Sequence, residues 1–330
     1  MTAAPRPSRL LTAAALALCT LGCAGDALAQ NWPQQTWWTQ SLSRLNPAVS
    51  ANAYTLSGTG FLRRQWVNLP GAPTTTGLTV ASPVYRYDMG GALAIERDAI
   101  GAQAVTQARG SVAYAPIARE NFRLSVGAGV SFRASALDGR ELRTAEGTYR
   151  GSVFDHRDQL LPTNEVSASS LGVDAGVAVA FGETEIGVSV LDVNAPVAEY
   201  EGLNVAFTRT LLGFATTTLP VGEVLDVQLS AIVQNDTRTT QAQASAFAWY
   251  NGNIGVGAAF RGLGEASIDA ASALLGWRAS PTLTFAYAYD LGLSSISEAH
   301  DGSHEISVRF ELSTPIGKGK LPPVIFNPRL

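Results

Sequence analysis

Between Phe122 and Ala134 the chain reads Phe-Arg-Leu-Ser-Val-Gly-Ala-Gly-Val-Ser-Phe-Arg-Ala, and from Val126 it alternates with a period of two. Val126, Ala128, Val130 and Phe132 fall on one face; Ser125, Gly127, Gly129, Ser131 and Arg133 fall on the other. Successive side chains of a strand point to opposite faces, so this is a strand with one apolar face and one small or polar face. The pattern recurs along the chain with no apolar helix between copies. A soluble sandwich alternates in the same way. Repeats of about 10 residues, one face for lipid and one for a watery lumen, are the signature of an outer-membrane barrel.

Composition agrees. Only 15% of residues are charged and 32 are glycine, against about 25% charged in an ordinary soluble domain. No stretch after residue 30 reaches 18 consecutive apolar residues, which excludes spanning helices. A net charge of -4 argues against nucleic acid as a partner.

Residues 1–29 read as a signal peptide. Arg6 and Arg9 precede an apolar run from Leu10 to Leu21, and Ala27-Leu28-Ala29 forms a small-x-small site before Gln30. Thr20-Leu21-Gly22-Cys23 offers a second reading, a lipobox that would lipidate Cys23, but the first position is normally aliphatic and here is Thr20. The first 29 residues carry two Arg and one Asp, so 21 basic and 26 acidic residues remain after cleavage, a net charge of -5. Both cysteines, Cys19 and Cys23, leave as well. The remaining chain has neither disulfides nor thiolate metal sites.

Residues 30–52 form an irregular lead-in that enters the lumen or lies at the periplasmic rim. Residues 53–313 hold 14 candidate strands: 53–66, 73–82, 88–98, 103–116, 122–134, 169–181, 184–192, 203–218, 223–235, 239–250, 253–262, 266–277, 281–290 and 303–313. The segment 314–330 reads as a periplasmic tail. Connections after even strands are short (84–87, 117–121, 182–183, 219–222, 251–252, 278–280). The longest, 135–168, 193–202 and 291–302, follow odd strands. Bacterial barrels segregate short periplasmic turns from long outer loops in this way.

Trp66, Tyr85, Tyr87, Tyr114, Trp249, Tyr250, Trp277, Tyr287 and Tyr289 lie near strand ends, where interfacial girdles belong. Arg63 and Arg64 are adjacent, so period two sends one of them outward. A cation costs about 2–4 kcal/mol at the bilayer midplane and little at the interface, which places the pair near the outer rim. The inward glycines suit curvature and close backbone approach, in an interior that reads as narrow and lined by small residues.

Several stretches together resemble the PorP/SprF family of type IX secretion system outer-membrane proteins. They are Asn46-Pro47-Ala48, Arg63-Arg64-Gln65-Trp66 followed by Gly71-Ala72-Pro73-Thr74, Tyr114-Ala115, Tyr287-Ala288-Tyr289-Asp290, and Gly302-Ser303-His304-Glu305-Ile306. The resemblance spans about residues 40 to 312. The chain departs from it in being rich in alanine, poor in lysine and without a terminal aromatic. It implies a non-enzymatic role alongside other secretion-system subunits. In that role, secreted cargo bearing a C-terminal domain is helped across or held at the cell surface. The positions Asn46, Pro47, Arg64, Gln65, Trp66, Pro73, Gly302, Ser303, His304 and Glu305 are then structural or partner-docking. Gly302 ends a loop, His304 and Glu305 hydrogen-bond at the rim, and the last strand closes against the first.

Catalytic and metal sites are not evident. Asp155-His156-Arg157-Asp158 has no second His or Cys at ligand spacing and reads as a solvated charged loop. His300 and His304 are four apart, but Gly302 and the strand remove the helical face such spacing needs. Ser303, His304 and Asp290 sketch a hydrolase triad, yet adjacent strand residues point apart. Val126-Gly127-Ala128-Gly129 has no following helix and is no phosphate cradle, so no cofactor is expected.

The reading is therefore an all-β, closed antiparallel transmembrane barrel of about 14 strands in the bacterial outer membrane. Loops 135–168 and 291–302 are candidates for outside contacts; segments 31–52 and 314–330 are candidates for periplasmic ones. The rivals are a passive channel or a transporter of hydrophobic small molecules, and a soluble β-sandwich adhesin.

Overall fold

The computed structural model describes residues 33–314, apart from 120, 151–152, 160, 201–202, 238 and 264–267. The leader, the lipobox alternative and the tail from 315 onward lie outside the described residues.

The strands are β1 (Ser57–Arg64), β2 (Thr74–Val84), β3 (Met89–Ile100), β4 (Gln103–Arg119), β5 (Phe122–Asp138), β6 (Thr148–Arg150), β7 (Val153–Asp155), β8 (Glu165–Phe181) and β9 (Thr184–Leu191), then β10 (Val197–Tyr200), β11 (Leu203–Ala206), β12 (Thr210–Val221), β13 (Leu225–Asn235), β14 (Thr240–Tyr250), β15 (Ile254–Arg261), β16 (Ala270–Ser280), β17 (Leu283–Gly292) and β18 (Ser303–Glu311). Fourteen of them close into one antiparallel barrel; β6–β7 and β10–β11 are two-stranded hairpins outside it. The expected strand over 203–218 is thus two elements. Its first part pairs in a hairpin with Val197–Tyr200, and only Thr210–Val221 joins the wall. Among the described residues no helix is long and apolar enough to span a membrane.

Closure is made by β1 against β18, from Ser57 opposite Glu311 to Arg64 opposite His304. In hydrocarbon every backbone N–H and C=O needs an internal partner, and a closed ring of strands leaves no edge. The faces sort as the alternation requires. Val126, Val130 and Phe132 are exposed on the outside, Val130 at 62%, while Ser125, Ser131 and Arg133 are buried inside. Trp249 departs from the expected girdle: it is buried in the lumen, because Tyr250 takes the outward position beside it.

Of the two placements open to the lead-in, the lumen is the one it takes. Residues 33–52 fill it, including two short 3-10 helices, Trp38–Arg44 and Pro47–Asn52, whose side chains are all buried. Thr36 bonds to side chains of β17 and β18 near the long-loop end, whereas Asn52 donates to Glu185 of β9, next to the short turn at residues 182–183. With short turns on the periplasmic side, the plug runs from the outer mouth down to the periplasmic end. There the chain turns and climbs back as β1. Segment 31–52, as far as it is described, is therefore lumenal and not a periplasmic contact.

Lumen glycines make room for this plug. A Cβ on Gly127 would overlap the backbone of Pro47 and Ala48, and one on Gly90 would overlap the backbone of Ser50 and Ala51. Gly213 has open space around its Cα. Gly127→Val is expected to destabilise the plugged barrel by about 1–3 kcal/mol through overpacking. Gly213→Ala should leave it near wild type. The thermal midpoint of the shift in gel mobility on heating reads both.

Candidate functional site

The plug is held by three sets of contacts. The first is charged and sits near the outer mouth. Arg63 (β1), Arg261 (β15), Asp290 (β17) and Glu305 (β18) all point into the lumen and converge on Thr36. Arg63 lies 2.7 Å from Asp290 and 3.3 Å from Glu305, and Arg261 lies 3.3 Å from Asp290. Glu305 accepts from the backbone N–H of Thr36 at 2.7 Å and of Trp37 at 2.9 Å. The Thr36 hydroxyl donates to Asp290 at 3.0 Å and accepts from Arg63 and Arg261. Its carbonyl accepts from Gln243 at 2.9 Å. Arg261 also lies 3.5 Å from the half-buried Asp269, which accepts from Gln34 of the plug, so two cations face the two buried anions and a third carboxylate nearer the mouth. Buried ions tolerate the loss of solvent only when paired and hydrogen-bonded in this way.

The second set carries the polar load along the rest of the wall. Arg44 of the plug pairs with Glu96 of β3 at 2.6 Å, and Arg109 of β4 donates to the Arg44 carbonyl at 2.6 Å while pairing with Asp174 of β8 at 2.7 Å. Within the wall itself, Arg133 of β5 meets Asp192, just past β9, at 2.5 Å. On the other side Gln40 takes bonds from Thr59, Ser307 and Arg309. Apolar contacts fill between these. Trp37 meets Phe247 edge-on at 4.9 Å, and Trp38, Leu42, Leu45 and Val49 pack with Leu191, Leu212 and Phe214 of the wall.

The third set is Asn46-Pro47-Ala48. Asn46 caps the second 3-10 helix: its Oδ1 accepts from Ala48 N at 2.9 Å, and Pro47 takes the first helical position. The Asn46 Nδ2 donates to the carbonyls of Val177 (β8) and Val188 (β9) at 3.1 and 3.0 Å. Gly176 and Gly187 lie against the Asn46 amide, and Gly127 lies under Pro47 and Ala48. An asparagine fits here because one side chain both caps its own helix and bonds two wall carbonyls.

The remaining motif residues meet at the outer end of the β1–β18 seam. Gln65 N donates to Pro73 O at 2.9 Å, Trp66 N to Ser303 Oγ at 3.1 Å, and Val67 N to Gly302 O at 2.8 Å. Trp66 (φ 50°) and Gly302 (φ 82°) both take the left-handed conformation, and Trp66 comes within 6.2 Å of the His300 ring. Arg64 and His304 face each other across the seam on the outside of the barrel, where His304 Nδ1 lies 2.7 Å from the Tyr287 hydroxyl.

Arg63 and Arg64 both lie at the outer end and, as period two requires, one faces out: Arg64 is exposed, and Arg63 is 1% exposed inside the lumen. Two expectations change. His304 and Glu305 both hydrogen-bond, on opposite faces, and Glu305 is fully buried against the plug and not at the rim. The loop 155–158 is only partly solvated: His156 is buried, with its ring nitrogens 2.9 Å from the Tyr149 hydroxyl and from Pro162 O, in a small cluster with Phe154. Ser303, His304 and Asp290 form no triad, since Ser303 serves Trp66, His304 faces Tyr287 and Asp290 serves two arginines. Among the described residues no three His, Cys, Asp or Glu gather as a metal site.

Sequence reasoning missed Thr36, Trp37, Gln40, Arg44, Glu96, Arg109, Asp174 and Arg261. Their signal was present: charges at period two on the lumen face of successive strands demand partners. Which charge meets which depends on barrel register and on the plug, and neither can be read from one strand.

A closed 14-stranded sheet with an exposed apolar belt, its lumen occupied by residues 33–52, defines a β-barrel protein of the bacterial outer membrane. Residues 27–310 match the family described as type IX secretion system membrane protein PorP/SprF, and the chain belongs to that family. No curated protein matches the sequence. Among solved structures, the Acinetobacter baumannii outer membrane protein Omp33 is similar at 7% identity over 78% of this chain and 98% of that one, TM-score 0.43. The monoaromatic hydrocarbon channel CymD is similar at 11% over 86% and 95%, TM-score 0.46, and the Ralstonia pickettii toluene transporter TbuX at 10% over 80% and 90%, TM-score 0.45. These likenesses are too distant to carry a functional conclusion.

Arg63→Met leaves Asp290 and Glu305 with Arg261 alone and should cost about 3–5 kcal/mol. Adding Glu305→Gln should recover part of that loss in a double-mutant cycle of thermal stability. The direction of threading is checked by cysteine labelling in a background without Cys19 and Cys23. Gln34→Cys should react with an impermeant maleimide on intact cells, and Asn52→Cys should not.

Proposed function

We propose that this barrel works at its outer rim as a docking and retention component for a secreted cargo protein, recognised through the cargo's C-terminal domain, together with other secretion-system subunits. The observation that carries this reading is the plug. A lumen filled by buried, paired side chains of the chain itself leaves the rim and its loops as the working surface. The rim is also built for contact. Two hairpins stand outside the barrel there, and among the described residues β11 is paired only on the β10 side. An unpaired strand edge accepts a strand from a partner through main-chain hydrogen bonds. The β10–β11 hairpin rests on a small core of Ala198, Tyr200 and Phe207 against Leu137 and Val166, which holds that edge in place.

The plug disfavours the alternative of a passive channel or a transporter of hydrophobic small molecules, which needs a path through the lumen. Deleting the gene should leave cargo in the periplasm or degraded. Replacing residues 193–207 by a short turn should lower surface cargo while the barrel still inserts and shows heat-modifiable mobility. Normal cargo display in the deletion strain refutes the reading, and measurable conductance of the intact protein in planar bilayers favours the channel.

A further inference from the structure

On the outer surface of β2, β3 and β5, Leu78, Ile95, Phe132 and Leu171 of neighbouring β8 lie in one circumferential row of exposed apolar side chains. One step toward the outer mouth the row becomes Leu62, Thr76, Arg97 and Thr106. The next step brings Tyr289, His304 and Arg64 side by side. On β1 to β3 the hydrocarbon-facing surface therefore ends at Arg97 and Arg64, the level of the outer-leaflet headgroups.

Both arginines point outward, and both are exposed. Among the described residues neither is in an ion pair: Arg97 donates at 3.3 Å to Thr106, and no carboxylate is within reach of Arg64. They are two strands and one row apart, a Cα separation of about 12 Å from ordinary strand spacings. Two long side chains can converge across that gap on one phosphate or on the two ends of one diphosphorylated headgroup. On the Arg64 side the row continues through His304 to Tyr289, with Tyr287 one step below, and the Tyr287 and Tyr289 rings lie 6.0 and 5.1 Å from that of His304. An amphipathic aromatic at this depth places its ring against acyl chain and its hydroxyl at the headgroup.

We propose that Arg64 and Arg97, with His304 and Tyr289 continuing the row beside Arg64, bind the phosphate of a phosphorylated glycolipid of the outer leaflet, fixing the seam side of the barrel to it. Guanidinium groups suit phosphate by charge and by paired donors. The occupant is a lipid and not a free anion, because both cations sit on the edge of the apolar belt where acyl chains must pack. The acids of the nearby loop, Glu298 and Asp301, form no ion pair with either arginine, and Asp301 accepts from Asn68.

The test is native mass spectrometry of the full chain released from detergent after incubation with a diphosphorylated lipid A or the same lipid without phosphates. Wild type should retain the phosphorylated lipid in preference to the dephosphorylated one. R64Q/R97Q should retain it at least about tenfold less, from the loss of two charge-assisted contacts, and R64K/R97K should retain most of it. R64Q and R97Q singly, each expected to lose part, serve if the double variant loses heat-modifiable mobility. Equal retention of both lipids, or no change in R64Q/R97Q, overturns the proposal. Full displacement by inorganic phosphate overturns the assignment to a lipid.

Discussion

A sheet in hydrocarbon has no water to satisfy its edges, and the fold follows from that constraint. Pairing Ser57–Arg64 with the final strand removes the last free edge. Closure then creates an interior, and the interior creates a second demand. Fourteen strands enclose more space than their own small lumen residues fill, and they carry Arg, Asp and Glu into it. The plug meets both needs, as volume and as hydrogen-bond partner.

The charged cluster at Thr36 shows how tightly the two demands are joined. Arg63, Arg261, Asp290 and Glu305 come from four strands, and none is next to another in sequence. Each is tolerable inside only because the others and the backbone of Thr36 and Trp37 complete its bonds. Removing the plug would leave Glu305 without its two N–H donors. The stability of the wall and the seating of the plug therefore rest on the same contacts.

The two surfaces of the seam do different things. Within the motif Arg63-Arg64, one residue completes the lumen cluster and the next meets the outer leaflet level. The same division separates Glu305 from His304. A two-residue motif at a barrel seam thus reports on both faces at once, which explains why it reads as one unit in sequence although its members share no contact partner.

The sequence by itself determined the strand count, the closure of last strand on first, the sorting of Val126, Val130 and Phe132 to the outside, and the side on which the long loops fall. Those follow from period two and connection length, which are local. It also marked Asn46-Pro47-Ala48 and Gly302 to Glu305 as special without giving their work. The plug's path, the pairing of Arg63 with Asp290 and Glu305, the burial of Trp249 and His156, and the fit of Asn46 over Gly176 and Gly187 were decided only in three dimensions. Each joins residues that lie far apart in the chain or whose neighbours are set by a loop's own packing. Such contacts depend on barrel register and on how a segment lies inside a closed wall, quantities that no single stretch of chain contains.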